Sequence, residues 1–262
     1  VWDALKIAAR AGRAYPILNA DYVSFTRTSA QATAATIFNR HNIIKGSFKI
    51  EYSFQRDDSV DAIRAEYIDP DNNWQRSTVL AQPPTSSANN IKQILYPGIT
   101  DRDQAWREAV YDAEVMLKQQ RTCKFQTELE GYIPNRGDLI RVVNENFDLD
   151  QGGEVTAYSG VTITTNTPLD FSAGGSHSIL LRQDDGTVDG PHIATAVGGN
   201  AYQCTISAPL SFTPSTGPTQ ARCVYQFGPV GSTDSAWIVT EIKSLGSNKL
   251  EIAALNYSAT VH

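Results

Sequence analysis

From Thr122 onward the chain is a succession of short runs of β-forming residues separated by turn residues, with no stretch long and periodic enough for a helix. Strands are expected near 122–130, 138–143, 153–158, 160–164, 178–183, 191–197, 201–207, 220–227, 236–243 and 249–257. Turn signals fall between them at Asn135–Gly137, Gly152-Gly153, Asp185-Gly186, Gly198-Gly199 and Gly246–Asn248. Short strands at this spacing with glycine-rich turns imply antiparallel sandwiches or barrels.

The first hundred residues mix the two periodicities. WDALKIAARAGR (2–13) puts Trp2, Leu5, Ala8 and Ala9 at helical spacing, with Gly12 as the stop and Pro16 barring continuation. YVSFTRT (22–28) reads as a strand. SFKIEYSF (47–54) alternates, with Phe48, Ile50, Tyr52 and Phe54 on one face. AIRAEYID (62–69) and QRSTVLA (75–81) form a strand pair around the turn DPDNN (69–73). QPPTSSANN (82–90) is a loop by composition, and IKQILY (91–96) a further strand stopped by Pro97-Gly98. The strongest helix follows. Thr100 is the expected N-cap, Asp101 and Asp103 suit the positive N-terminus, and Lys118 and Arg121 suit the C-terminus. Trp106, Val110, Ala113 and Leu117 form its stripe, flanked by Ala105, Ala109 and Met116. About 20 helical residues span about 30 Å, enough to brace two sheets.

The expected fold class is therefore mainly β with a minor α component (α+β): antiparallel barrel or sandwich domains with one long bracing helix. At 262 residues, two domains or one with a large insertion are expected. The boundary is placed near residue 98. Residues 1–97 form an α+β part. Residues 98–262 form a part holding the long helix and a small β-barrel inserted near 145–235, for which the oligosaccharide/oligonucleotide-binding type is one candidate.

Charge narrows the partners. Lys+Arg is 22 and Asp+Glu 28, a net charge of −6, with no basic block. Duplex nucleic acid is not an expected partner, because phosphate binding needs concentrated cations. No apolar run approaches the roughly 20 residues that a membrane-spanning helix needs. No signal peptide is seen, and a start at Val1 suggests a piece of something longer. Cys123, Cys204 and Cys223 are an odd number and speak against a disulfide scaffold. They are expected to be buried structural thiols, with a bridge between Cys204 and Cys223 left open.

Catalytic chemistry finds little support. His41, His177, His192 and His262 have no zinc-ligand spacing and are expected on the surface or in turns. Asp69, Asp71 and Asn73 start like a calcium loop, but Trp74 stands where glycine belongs and Leu80 where the closing glutamate belongs. Asp148, Asp150 and Glu154 flank Gly152-Gly153 and are read as a solvated loop rather than calcium ligands. Ser176 and Ser178 flank His177, but strand neighbours point to opposite faces. Asp184-Asp185 sits in a turn, and the exposed face of the long helix takes Arg102 and Arg107. No G-x-S-x-G, P-loop or G-x-G-x-x-G is present. The expected chain is not an enzyme and has no catalytic, cofactor or metal residues.

One stretch is distinctive as a whole: GITDRDQAWREAVYDAEVMLKQQRTCKFQTELEGYIPNRGDLIRVV (98–143). Its Gly98, Ile99, Thr100, Asp101, Gln104, Ala105 and Arg107, followed by Pro134, Gly137, Asp138, Ile140 and Val142, resemble the central hub of the phage host-specificity (tip attachment) protein J family. NIIKGSFKIEYS (42–53), IRAEYIDPDNNWQRSTV (63–79) and AWIVTEIKSLGSNKLEIAALNYSATVH (236–262) resemble further segments of that hub in the same order. The region 145–235 departs most from the family pattern. Arg107 is either an anchor to a neighbouring subunit or solvated.

The resemblance implies structural work in the virion: a tail-tip hub of phage or prophage origin, closing the tail tube and serving as a platform for host recognition. It implies a homotrimer touching the distal tail and tape-measure proteins and assembled in the bacterial cytoplasm. It also implies that this chain is a hub fragment without the receptor-binding tip. Two other functions are weighed. A carbohydrate- or receptor-binding β-module would stack sugars on Tyr158, Tyr202 and Trp237. A cell-wall hydrolase would need two carboxylates about 5–10 Å apart in a cleft.

Overall fold

A computed structural model describes residues 1–262 except 20–21, 53–59, 85, 145–149, 233–234 and 262. The first elements are α1 (Trp2–Arg10), β1 (Ala14–Asn19), β2 (Tyr22–Arg27), β3 (Thr36–Phe38), β4 (Lys49–Tyr52), β5 (Ala62–Asp69), β6 (Gln75–Ala81) and β7 (Ile91–Leu95). Then come α2 (Arg102–Lys118), β8 (Arg121–Thr127), β9 (Leu139–Val142), β10 (Gln151–Ser159), β11 (Thr162–Thr165) and β12 (His177–Arg182). The last are β13 (Val188–Val197), β14 (Asn200–Ile206), β15 (Val224–Pro229), β16 (Ala236–Gly246) and β17 (Lys249–Asn256). The fold is mainly β with a minor α component. All ten strands expected after Thr122 are present. Phe54, expected to end the strand that became β4, lies outside the described residues.

The chain divides into two compact units. One is made of residues 1–30, 51–121 and 258–262, the other of residues 31–50 and 122–257.

In the first unit a three-stranded sheet, ordered β6-β5-β7, is covered by α2. β5 pairs antiparallel with β6 from Ile63↔Ala81 to Asp69↔Gln75, and parallel with β7. Ile63, Ala65, Tyr67, Val79 and Ala81 meet Ala105, Ala109 and Ala113 of the helix in one buried cluster. The stripe α2 buries is thus its alanines. Trp106 and Met116, expected to lie on or beside the packed stripe, are 44% and 36% exposed. Alanines at i, i+4, i+8 let the helix lie close on the sheet, where Trp106 would hold it off. The expected boundary near residue 98 assigned this helix to the later strands. Its alanine face instead packs on the strands that precede it.

The helix start also differs from expectation. Asp101, not Thr100, is the N-cap, and its side chain accepts the Gln104 amide at 2.6 Å. The charged cap faces the positive end of the helix dipole and satisfies an otherwise orphaned N–H. α1 ends at Arg10, earlier than expected, and the left-handed residue after it is Arg13 (φ 52°) rather than Gly12. β1 then begins two residues before Pro16, so Pro16 sits inside a strand and not merely at the end of a helix.

In the second unit, β10-β11-β14-β13-β12-β15 form a closed barrel, with β15 pairing back onto β10. Every pairing in it is antiparallel. Val155, Ile163, Ile179, Leu181, Cys204, Tyr225 and Phe227 fill it. The candidate oligosaccharide/oligonucleotide-binding type is a five-stranded, partly open barrel; six strands closing fully build a different one. Beside it, within the same unit, a sheet ordered β3-β9-β16-β17-β8-β4 packs Phe38, Phe125, Ile140, Trp237 and Ile252.

Gly152 and Gly153, expected in a turn, lie within β10. A Cβ on Gly152 would meet Val143 at 3.1 Å, and one on Gly153 would run into Asn166 Oδ1. These glycines admit close neighbours to the strand rather than bend it.

Candidate functional site

The residues singled out for chemistry do not converge. His177 is 3% exposed, not a surface residue: its ring stacks on Phe227 at 5.4 Å between centroids and tilts against Phe171 at 5.1 Å. Its Nε2 has no hydrogen-bond partner. Ser178 is buried and Ser176 exposed. His192 Nε2 lies 2.7 Å from Asp189 Oδ2, and His41 Nδ1 lies 3.6 Å from Glu154 Oε1. His262 and Asp148 lie outside the described residues.

Asp150 and Glu154, expected together in a solvated loop, part company. Asp150 is 4% exposed, its Oδ2 accepting from Gln226 Nε2 at 3.3 Å and Ser232 Oγ at 3.1 Å. Glu154 pairs with Arg222 at 3.5 Å. Asp69 and Asp71 form a hairpin turn in which Asp69 Oδ1 accepts the Asp71 amide at 3.0 Å. Asp185 Oδ1 accepts from the Thr187 hydroxyl at 2.6 Å and its amide at 2.9 Å, which lowers the carboxyl pKa. Among the described residues no three His, Cys, Asp or Glu side chains gather as a metal site, and no helix is long and apolar enough to cross a membrane.

Cys123, Cys204 and Cys223 are all free and buried. Burial pushes their thiols up, to about 12, about 11 and about 12. The bridge left open between Cys204 and Cys223 is absent. Of the three aromatics weighed as sugar platforms, Trp237 is fully buried, and Tyr158 packs against the barrel core, its hydroxyl accepting the Leu210 amide at 2.8 Å. Only Tyr202, 47% exposed, faces solvent.

The structure instead presents apolar surface on the β1–β2 hairpin. Leu18 sits opposite Val23, and Pro16 opposite Phe25, so these four share one face. Leu18, Val23 and Phe25 are 65%, 45% and 53% exposed. Among the described residues the two strands pair only with each other. A contiguous apolar face on a two-stranded ribbon is the kind of surface that docks against protein. Strand 22–28 was legible, but its partner was hidden because Pro16 read as a helix terminator.

A second feature is a groove of about 860 Å³ in the other unit, whose lining includes Ile43, Ile44, Phe48 and Val143 together with Arg40, Lys45 and Asp150. Asn39 closes one side, donating from Nδ2 to the Gly153 carbonyl at 3.1 Å.

The residues of the 98–143 motif do backbone work. Gly98 takes φ 85°, Ile99 is 1% exposed, and Gln104 Nε2 donates to the Ala11 carbonyl at 2.8 Å. Gly137 takes φ 91°, and Asp138 Oδ2 accepts the Asn135 amide at 2.7 Å. Arg107 is exposed.

Residues 4–158, more than half of the chain, match the family described as putative phage tail protein. The chain belongs to this family. The match takes in the hairpin, the α2-covered sheet and the whole 98–143 motif, and ends within β10. Similar solved structures include one from the virion of a native gene transfer agent (GTA) particle. It is 8% identical at a TM-score of 0.46, and the match covers 91% of this chain and 34% of that one. Another is the tail protein from Neisseria meningitidis MC58, 14% identical at 0.37, with 55% and 44% covered. The chain therefore spans less than half the length of either. Neither TM-score reaches 0.5, and membership rests on the family match.

Proposed function

We propose that this chain is part of the central hub at the tip of a phage or prophage tail, of the host-specificity protein J type. In this reading it closes the tail tube as a homotrimer, touches the distal tail and tape-measure proteins, and carries the platform for host recognition. It is assembled in the bacterial cytoplasm and ends up at the tail tip of the virion. Its role is mechanical, not catalytic. The barrel near 145–235 would be an insertion in the hub.

The observation that carries this reading is the family match over residues 4–158. Two features support it. The residues shared with the hub motif cap, tighten and dock α2 and β9 and form no reactive cluster. The β1–β2 face offers apolar surface to a neighbouring subunit.

The test is to decorate intact particles with an antibody against this chain and image them. Label confined to the tail tip is expected. Label along the tube, on the head or nowhere on the particle overturns the reading.

A further inference from the structure

We infer that residues 1–30 form an arm held by a two-arginine latch, and that the arm undocks as a unit while the sheet–helix body stays folded. The inference is independent of the proposed place in the virion.

It starts from how little apolar surface ties the arm down. α1 has no buried residue. Among the described residues β1 and β2 form a two-stranded sheet with each other, and no ladder joins them to the three-stranded sheet. Pro16 is the one buried side chain described between residues 1 and 30, with Ala11 partly buried against the α2 cluster. An isolated hairpin is marginal in water.

The polar contacts of the arm converge on one face of α2. Arg13 Nε donates to both carboxylate oxygens of Glu108 at 2.8 Å, a partly buried pair with side chains 24% and 15% exposed. One helical turn on, Arg10 Nη2 donates to Asp112 Oδ2 at 2.8 Å. Tyr96 OH donates to the same oxygen at 2.7 Å. Each guanidinium also lies over a ring of the body, Arg10 over Tyr96 at 5.5 Å and Arg13 over Tyr111 at 4.6 Å. Glu108 and Asp112 are four residues apart and therefore neighbours on the helix surface, matching the turn-spaced arginines.

Such contacts differ in kind from the body's alanine-on-sheet packing. Ion pairs near the surface weaken with ionic strength, whereas apolar burial does not. A single condition therefore separates the two. Undocking would carry the Leu18–Val23–Phe25 face away from the body, and the hairpin, marginal by itself, would lose protection as it left.

The test is amide hydrogen exchange on the full chain at low salt and at about 1 M sodium chloride. Salt is expected to speed exchange in residues 14–18 and 22–27 about tenfold, leaving residues 62–81 and 105–113 unchanged. Arg13→Gln should reproduce this at low salt, and the charge swap Arg13→Glu with Glu108→Arg should restore protection. Arm amides that stay as protected as β5 at both salts overturn the inference. So does a rise in exchange that spreads equally through 62–81, because arm and body would then open as one. If Arg13→Gln does not fold, the salt comparison on the unaltered chain still decides.

Discussion

Gly153 lies so close to Tyr225 that a Cβ on it would stand 2.9 Å from the phenol oxygen. That oxygen is itself 2.6 Å from Thr167 Oγ1, so the bare backbone of β10 makes room for a polar contact that joins the barrel wall to the loop after β11. Gly153→Ala is expected to destabilise the protein by about 2 kcal/mol, the usual range for overpacking a tight site. Gly198→Ala, where a Cβ meets nothing within 4 Å, is the matched control and should be close to neutral. Equilibrium urea unfolding of both variants checks the pair.

The helix cap gives a second contrast. Asp101→Ala removes the side chain that accepts the Gln104 amide and should cost about 1 kcal/mol. Thr100→Ala, at the cap suggested by sequence alone, should change the unfolding midpoint little. A larger loss at Thr100 than at Asp101 would refute this capping geometry.

Along α2, Ala109 is fully buried against β5 and β6 whereas Trp106 is 44% exposed. Ala109→Leu should therefore destabilise by about 1–3 kcal/mol. Trp106→Ala should stay within about 0.5 kcal/mol, as exposed substitutions do. Thermal unfolding of the two variants reads the difference.

The thiols set a pH dependence. Their ordinary pKa is 9.0, and in the folded chain burial raises them to between about 11 and about 12. An unfolded chain therefore loses these protons at lower pH than the folded one. Their contribution to stability is complete below pH 9.0 and is lost as pH rises through about 12, because unfolding releases protons across that window. Native protein at pH 8 should not react with a thiol reagent, and three thiols should titrate in denaturant. Fast reaction of any one under native conditions would show that it is not buried as described.

On the hairpin, Phe25 is 53% exposed. Phe25→Ser should leave the melting temperature of the isolated chain within about 2 °C, as expected when no buried contact is lost. If this face docks in the particle, the same variant should fail to enter assembled tails, measured by complementing a phage or prophage that lacks the chain. Normal incorporation would remove the hairpin from the assembly surface.

Much of this architecture was legible because it is written in local patterns. The strands after Thr122 follow from short runs of β-forming residues punctuated by turn residues, and β5 and β6 appear at the bounds their patterns mark. The ordered motif of 98–143 points to a phage tail family, and the match over residues 4–158 is to such a family.

What the sequence left undecided depends on distance in space. Nothing local tells that β15 returns to β10 and closes a six-stranded barrel, because that closure joins residues far apart along the chain. Gly152-Gly153 reads as a turn until Val143, Asn166 and Tyr225 are seen crowding it, since a glycine that bends a chain and one that admits a neighbour look alike in one dimension. The buried stripe of α2 was set by how closely a helix can approach a sheet, so small alanines displaced the larger Trp106 that hydrophobicity favoured. The pairing of Arg10 and Arg13 with Asp112 and Glu108 likewise exists only once about a hundred intervening residues have folded. By itself the sequence marked every strand except β1 and β3 and pointed to a phage tail family; tertiary structure decided which faces meet, because packing depends on contacts between residues that the chain order keeps apart.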